Sequence, residues 1–199
     1  MTIQGRQPAR VSGKDTKWEG RYLRSVLLTY SQPLKTGTPE IVRQWEAVER
    51  VGCDCIVGMV PFTGEGEVIL IRQFRPPVDC FVIELPAGLC EPGEAPEEAA
   101  KRELVEETGY SAGKLDFLAE GPLSSGISSE MLTVYLARGL SYIGIGERDE
   151  TEEIEVLKMP LDTFGEGLER LRDGGDCVDL KIYGLIELAR EFIRKKVPD

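Results

Sequence analysis

The sequence predicts a mixed α/β layer structure preceded by a small β appendage, on three observations. Short strand-like apolar runs stand before and after one clear central helix, further helical periodicity closes the chain, and a β-rich stretch holding both tryptophans precedes that pattern. Residues 1–16 carry Gln, Arg, Ser, Gly and Lys without an apolar period and are expected to form a flexible tail. Extended runs at 22–30 and 41–51 flank the turn-rich Lys35-Thr36-Gly37-Thr38-Pro39 and predict a hairpin within an N-terminal segment, 17–52. From 53 to 199 a second body is expected. Its runs at 55–62 and 67–74 flank Thr63-Gly64-Glu65-Gly66 and predict a second hairpin, followed by a short strand at 81–85. The spacing predicts a helix over 96–108: proline suits the first turn, Glu97 and Glu98 complement the positive end of the dipole, and Gly109 stands as a C-cap. Strands are expected again at 115–118, 131–137 and 155–159, then helices at 161–172 and 180–195, the last with Ile182, Leu185, Ile186, Ala189 and Phe192 at core spacing.

Composition narrows the function. With 199 residues the chain is sized for one domain, or one with an appendage. Acidic residues outnumber Lys+Arg 35 to 24, for a net charge of −11 and a pI near 4.7. That balance argues against a general nucleic-acid coat or an anionic membrane surface, because both need a basic excess. No apolar run approaches the roughly 18 residues of a spanning helix, and the first 20 residues are too polar for a signal peptide, so a cytoplasmic protein is expected. The chain has no histidine, which excludes Ser-His-Asp and Cys-His chemistry, histidine-containing zinc sites and a histidine base. Acid/base work then falls to Asp, Glu, Lys, Tyr or Cys. Five cysteines, odd in number and without a C-x-x-C pair, are expected to be reduced structural thiols and not a disulfide framework or zinc site.

The chemistry concentrates in Gly88 to Tyr110, GLCEPGEAPEEAAKRELVEETGY. On the expected helix Glu103, Glu106 and Glu107 stand at i, i+3 and i+4, so three carboxylates share one face. Like charges at that spacing repel, and an acidic face of this kind is either solvated or neutralised by hard divalent cations that take oxygen ligands and hold substrate phosphates. The full spacing decides between them: Gly88, five residues, Glu94, seven residues, Arg102-Glu103-Leu104, one residue, Glu106-Glu107, one residue, Gly109. Residue usage alone would produce it on the order of once in 10⁵ such chains.

This pattern resembles the Nudix box, the loop-helix-loop signature of hydrolases that cleave nucleoside diphosphates linked to another group; only Tyr110 departs from it, where an aliphatic residue is usual. The resemblance implies the Nudix α/β/α sandwich with a mixed sheet. It implies Glu103 and Glu107 as principal Mg²⁺ ligands, Glu106 sharing the metals or orienting their waters, Arg102 holding a carboxylate by charge-assisted hydrogen bonds, and Glu94 supporting the loop. Upstream, Gln73-Phe74-Arg75-Pro76-Pro77 and Glu84-Leu85-Pro86-Ala87-Gly88-Leu89 make the chain similar to the ADP-ribose pyrophosphatase branch. In that branch the Ala87 carbonyl is a metal ligand and Arg75 contacts the diphosphate. Trp45-Glu46-Ala47-Val48-Glu49-Arg50 resembles the branch's dimer-forming β segment, where two tryptophans from two subunits, here Trp18 and Trp45, sandwich an adenine. In an unbroken strand Trp45 and Arg50 face opposite sides, so either a bulge intervenes or they serve different subunits' sites. The segment Ser124 to Glu130 resembles the one that meets the terminal ribose, although Ser124-Ser125 stands where some members carry Asp-Pro or Ser-Pro.

The resemblance thus implies substrate contacts from Trp18, Trp45, Glu46, Arg50, Arg75, Leu89, Ser124 and Glu130. It places a catalytic glutamate in the acidic run 147–156, where Glu152 fits the base and a metal contact, with Glu153 as the other candidate. The expected activity is Mg²⁺-dependent hydrolysis of ADP-ribose to AMP and ribose 5-phosphate by a homodimer, with Mn²⁺ as a substitute ion. The alternatives are a diphosphatase for another nucleotide sugar or dinucleotide, such as GDP-mannose or NADH, and a sensor that binds ADP-ribose without cleaving it.

Overall fold

The structure, a computed structural model, describes residues 9–32, 41–53, 55–146 and 153–196. The chain divides into two compact units, Met1–Cys53 with Pro122–Met131, and Asp54–Gly121 with Leu132–Asp199.

The first unit is built on three antiparallel strands in the order β1 (Arg10–Glu19), β2 (Leu23–Gln32), β3 (Ile41–Arg50). The expected hairpin is present as β2 and β3, paired without interruption from Leu23↔Arg50 to Gln32↔Ile41. Its turn at 35–39 lies outside the described residues. β1 is a correction to the expected tail, since the strand begins at Arg10, inside 1–16. The reason is legible in its burial: nine of its ten positions are exposed, so neither face selects apolar residues and no alternation marks the strand. Register shifts between Val11 and Gly13 and between Thr16 and Trp18 blur the period further.

In the second unit two four-stranded sheets hold β7-β4-β9-β8 and β10-β5-β6-β11. Their strands are β4 (Ile56–Pro61), β5 (Glu67–Arg75), β6 (Cys80–Glu84), β7 (Ala87–Leu89), β8 (Tyr110–Pro122), β9 (Met131–Tyr142), β10 (Ile154–Pro160) and β11 (Cys177–Val178). The helices are α1 (Pro96–Thr108), α2 (Phe164–Asp173) and α3 (Lys181–Lys196). The second expected hairpin is corrected here. β4 and β5 separate into different sheets, joined next to their turn by a single bridge, Phe62↔Val68. β4 is buried at all six positions because it lies parallel to β9 and antiparallel to β7, and such a doubly covered strand has its partners far away in sequence.

α1 matches its expected bounds. Pro96 opens it, and Gly109 closes it in the left-handed region (φ 77°) with its N–H on the Val105 carbonyl. Its apolar stripe of Ala99, Ala100 and Leu104 packs into a cluster with Val57, Met59, Cys90 and Ala137, which turns the glutamate stripe away from that core. In α3 the expected core positions Ile182, Ile186 and Ala189 are buried.

The cysteine expectation is overturned. Cys55 and Cys90 form a disulfide across 35 residues, with Cα atoms 5.3 Å apart. The pair is invisible in the sequence because only the β4–β7 ladder makes it adjacent: Ile56 pairs with Leu89, and the Cys90 N–H reaches the Cys55 carbonyl at 3.0 Å. Among the described residues no helix is long and apolar enough to cross a membrane.

Candidate active site

The site in the second unit is assembled by α1 and the three-residue strand β7. Arg102 is its hub. Its Nε and Nη2 donate to the two oxygens of Glu94 at 3.0 and 2.9 Å, Nη1 donates to Glu103 at 2.8 Å and to Glu106 at 3.0 Å, and Nη2 also reaches the Leu89 carbonyl at 3.0 Å. The paired hydrogen bonds with Glu94 raise the guanidinium above its ordinary value, with Glu103 and Glu106 adding to the effect. In return the Glu94 carboxyl is held below the usual carboxylate range, first by Arg102 and then by the Glu91 N–H. Glu94 thereby closes its own turn, because its N–H donates back to the Glu91 carbonyl at 2.9 Å.

Glu107 is buried at 7% exposure and accepts the Ala87 N–H at 2.9 Å, which fixes β7 to the helix at the residue whose carbonyl is the expected metal ligand. Gly88 leaves room for a carboxylate: a Cβ built there would fall inside the Glu103 carboxylate. The fixed glycine of the motif is therefore the space Glu103 occupies. Close to the other end of α1, Gly146 lies so near that a Cβ would meet the Glu106 Cα and Cγ at 3.3 Å.

Three carboxylates surround one guanidinium here and a fourth, Glu107, is docked on β7, an excess of negative charge that suits a hard cation. The donors are all oxygen, which fits a divalent ion of the Mg²⁺ type. Among the described residues no three side chains form a ready metal cage, and Glu103 and Glu106 lean on Arg102. Arg75 ends β5 with its Nε and Nη2 on Glu84 at 2.8 and 2.6 Å. The sequence pointed to Arg75 but not to Glu84, whose place in Glu-Leu-Pro-Ala-Gly just before β7 was the available signal.

The first unit carries the other expected positions. Trp18 and Trp45 sit on the outer strands on either side of β2, opposite Ser25 and Leu28, and both are exposed. Trp18 folds over Gly20, where a Cβ would collide with its ring. Trp45 stacks edge-on against Tyr30 with centroids 6.5 Å apart and donates its indole N–H to the Gly126 carbonyl at 3.0 Å. Arg50 donates to Glu130 at 2.6 Å, and Glu130 also accepts the Ser128 hydroxyl at 3.2 Å. Ser124 anchors this segment by accepting the Ile127 and Ser128 N–H groups through its carbonyl, and the Ile127 carbonyl accepts from Val48 at 2.8 Å. These backbone partners leave no trace in residue identity, so the sequence could not supply them. Glu46 is exposed on β3. β3 has no bulge, so Trp45 and Arg50 lie on opposite faces. Glu152 lies outside the described residues, and Glu153 is exposed one residue ahead of β10.

A loop-helix hub of this construction, set against a short strand by an arginine, defines a class. The chain belongs to the NUDIX domain family, whose model matches residues 55–175, more than half of the sequence. Among its relatives, ADP-ribose pyrophosphatase of Bacillus subtilis (strain 168) is 42% identical over 107 residues, 53% of this chain and 58% of that protein. GDP-mannose pyrophosphatase of Salmonella typhimurium is 31% identical over 169 residues, 81% of this chain and 85% of that protein. ADP-sugar pyrophosphatase of Mus musculus is 40% identical over 106 residues, 50% of this chain and 47% of that protein. The chain thus spans about half of the Bacillus and mouse proteins. In fold it is similar to a crystal structure of an ADP compounds hydrolase, with a TM-score of 0.75, 23% identity, and 97% of this chain and 98% of that one covered.

Proposed function

We propose that the chain is a divalent-metal-dependent hydrolase of ADP-ribose or a related ADP-sugar, giving AMP and ribose 5-phosphate from ADP-ribose. The observation that carries this is the Arg102 hub, which presents Glu103 and Glu106 on one face of α1 while Glu107 is docked on the Ala87 N–H. Glu103, Glu106, Glu107 and the Ala87 carbonyl would hold the cation, Mg²⁺ with Mn²⁺ as substitute, which when bound neutralises the diphosphate and makes its water a stronger nucleophile. Arg102 orients the ligands, and Glu94 keeps Arg102 in place. Arg75, Arg50 and Leu89 are assigned to the substrate's diphosphate side, Trp18, Trp45 and Glu46 to the adenine, and Ser124 and Glu130 to the terminal ribose. The base is Glu152, with Glu153 as the alternative. Trp45 and Arg50 on opposite faces of β3 favour their serving different subunits' sites in a homodimer, and the exposed Val11 and Val42 of the N-terminal sheet, with Tyr22 just before β2, offer apolar surface for it. A cytoplasmic location completes the reading.

A second reading, hydrolysis of GDP-mannose, is favoured by the relative that aligns over 85% of its own length. Incubating the purified chain and Mg²⁺ with ADP-ribose, ADP-glucose, GDP-mannose and NADH, with products separated by chromatography, tests both. Preferential formation of AMP and ribose 5-phosphate is expected. Preference for GDP-mannose would replace the substrate and keep the metal chemistry. Full turnover by Glu103→Gln and Glu107→Gln would end the mechanism.

A further inference from the structure

We propose that Cys55 and Cys90 form a reversible thiol–disulfide site that sets the metal affinity of the box. The inference rests on the metal-ligand reading above and on where the bond lies. The ladder between β4 and β7 has three rungs, Gly58↔Ala87, Val57↔Gly88 and Ile56↔Leu89, and the disulfide lies one residue beyond the last of them. Each residue of β7 supports the site: the Ala87 N–H holds Glu107, Gly88 lies against Glu103, and the Leu89 carbonyl holds Arg102. A strand of three residues is held by few hydrogen bonds, and the ends of an element open first. The Cys90 end is the one beside Leu89, so a covalent tie there fixes the Arg102 contact and, through Arg102, the placement of Glu103 and Glu106.

The two cysteines differ in exposure, although both pack on one cluster. Cys90 is 1% exposed within the cluster of Val57, Met59, Ala99, Ala100 and Leu104, whereas Cys55 is half-buried. Exchange therefore enters at Cys55. The Cys55 thiolate attacks a low-molecular-weight disulfide, releasing one thiol and leaving a mixed disulfide. The Cys90 thiolate then attacks the Cys55 sulfur and expels the second thiol. Two electrons pass from the cysteine pair to the oxidant, and the two protons end on the released thiols. In the reverse direction a dithiol reductant attacks Cys55 and Cys90 leaves as thiolate, after which the reductant's second thiol closes its own disulfide and expels Cys55.

The test uses the full chain, equilibrated without denaturant in glutathione disulfide or in dithiothreitol. Thiols are then alkylated under denaturing conditions and mapped by peptide mass, while Mn²⁺ affinity is measured in parallel without substrate. The oxidised protein is expected to carry the Cys55–Cys90 link. The reduced protein is expected to bind Mn²⁺ on the order of tenfold more weakly, the size of effect seen when a ligand's outer support is lost, and to recover on reoxidation. Cys55→Ser is expected to show the weak affinity in both conditions, and a Cys80→Ser/Cys177→Ser double variant to keep the full redox response. Failure of the link to form, resistance to reduction without denaturant, or a shift in melting temperature with equal Mn²⁺ affinity in both states would each overturn the proposal; the wild-type comparison suffices if Cys55→Ser fails to fold. Absence of ADP-ribose hydrolysis in either state, with the Mn²⁺ difference intact, would remove the substrate reading and leave this one standing.

Discussion

At the scale of single residues the site depends on space and hydrogen bonding as much as on charge. Gly88 contributes no functional group, yet Glu103 occupies the volume its side chain would take. Gly88→Ala is expected to push the Glu103 carboxylate, the mobile end of a long side chain, out of position while the backbone stays intact. Turnover then falls roughly 10- to 100-fold, as for other losses of ligand support, with the melting temperature within a few degrees of the parent's. Unfolding of this variant, measured by thermal melting, would instead make Gly88 a requirement of the β7 backbone. Arg102→Lys separates charge from geometry. A lysine keeps the positive charge but cannot bridge Glu94, Glu103, Glu106 and the Leu89 carbonyl at once. A loss of Mn²⁺ affinity nearly as large as in Arg102→Ala is expected in a titration without substrate; an affinity equal to the parent's would mean that charge alone suffices.

At the scale of elements, α1 and its cap carry the site's precision, and Gly109 makes the point quantitatively. It holds φ at 77°, and a Cβ there would come 2.6 Å from the Tyr142 ring and 3.1 Å from the Gly144 carbonyl carbon. Gly109→Ala is expected to cost about 1–3 kcal/mol from the strained backbone and the collision together, read as a lower denaturation midpoint in urea. A midpoint equal to the parent's would show that the helix end relaxes freely. Local rules made this element legible, since proline at one end, glycine at the other and a 3.6-residue stripe between them are all consequences of the helix itself. β4 and β5 escape local rules for the opposite reason. Thr63-Gly64-Glu65-Gly66 looks like a hairpin turn, but strand partners are chosen by burial, and a strand buried on both faces pairs with segments far along the chain. The same gap concealed the disulfide: its cysteines are neighbours only through that pairing. In the candidate site, charged side chains at fixed spacing are visible in the sequence, whereas the supporting backbone groups, the Ala87 N–H and the Leu89 carbonyl, carry no residue identity.

At the scale of the whole molecule a chain of net charge −11 must still place its few cations where they hold distant elements together. Asp116 on β8 is one such point. It is ion-paired with Arg138 on β9 and with Lys196 at the end of α3 at 3.2 Å, and Lys114 lies 3.0 Å away. Burial pushes the Asp116 carboxyl up, but the hydrogen bonds from Arg138, Lys114 and Lys196 outweigh it and hold the group well below the usual carboxylate range. A carboxyl depressed by folding stabilises the folded state at every pH above its unfolded value, about 4, and that contribution drains away as the pH falls toward the folded value. Asp116→Asn removes the charge and leaves Arg138, whose Nε is already buried without a partner among the described residues, facing an amide. The variant is expected to lose about 1–3 kcal/mol at pH 7. Because the parent loses this contribution only gradually below about pH 4, the gap between the two proteins should narrow by about 1 kcal/mol at pH 3 and further below it, by urea denaturation at each value. A gap of constant size would mean that Asp116 acts by packing and not by charge, and the tie between β8, β9 and α3 would then be insensitive to protons.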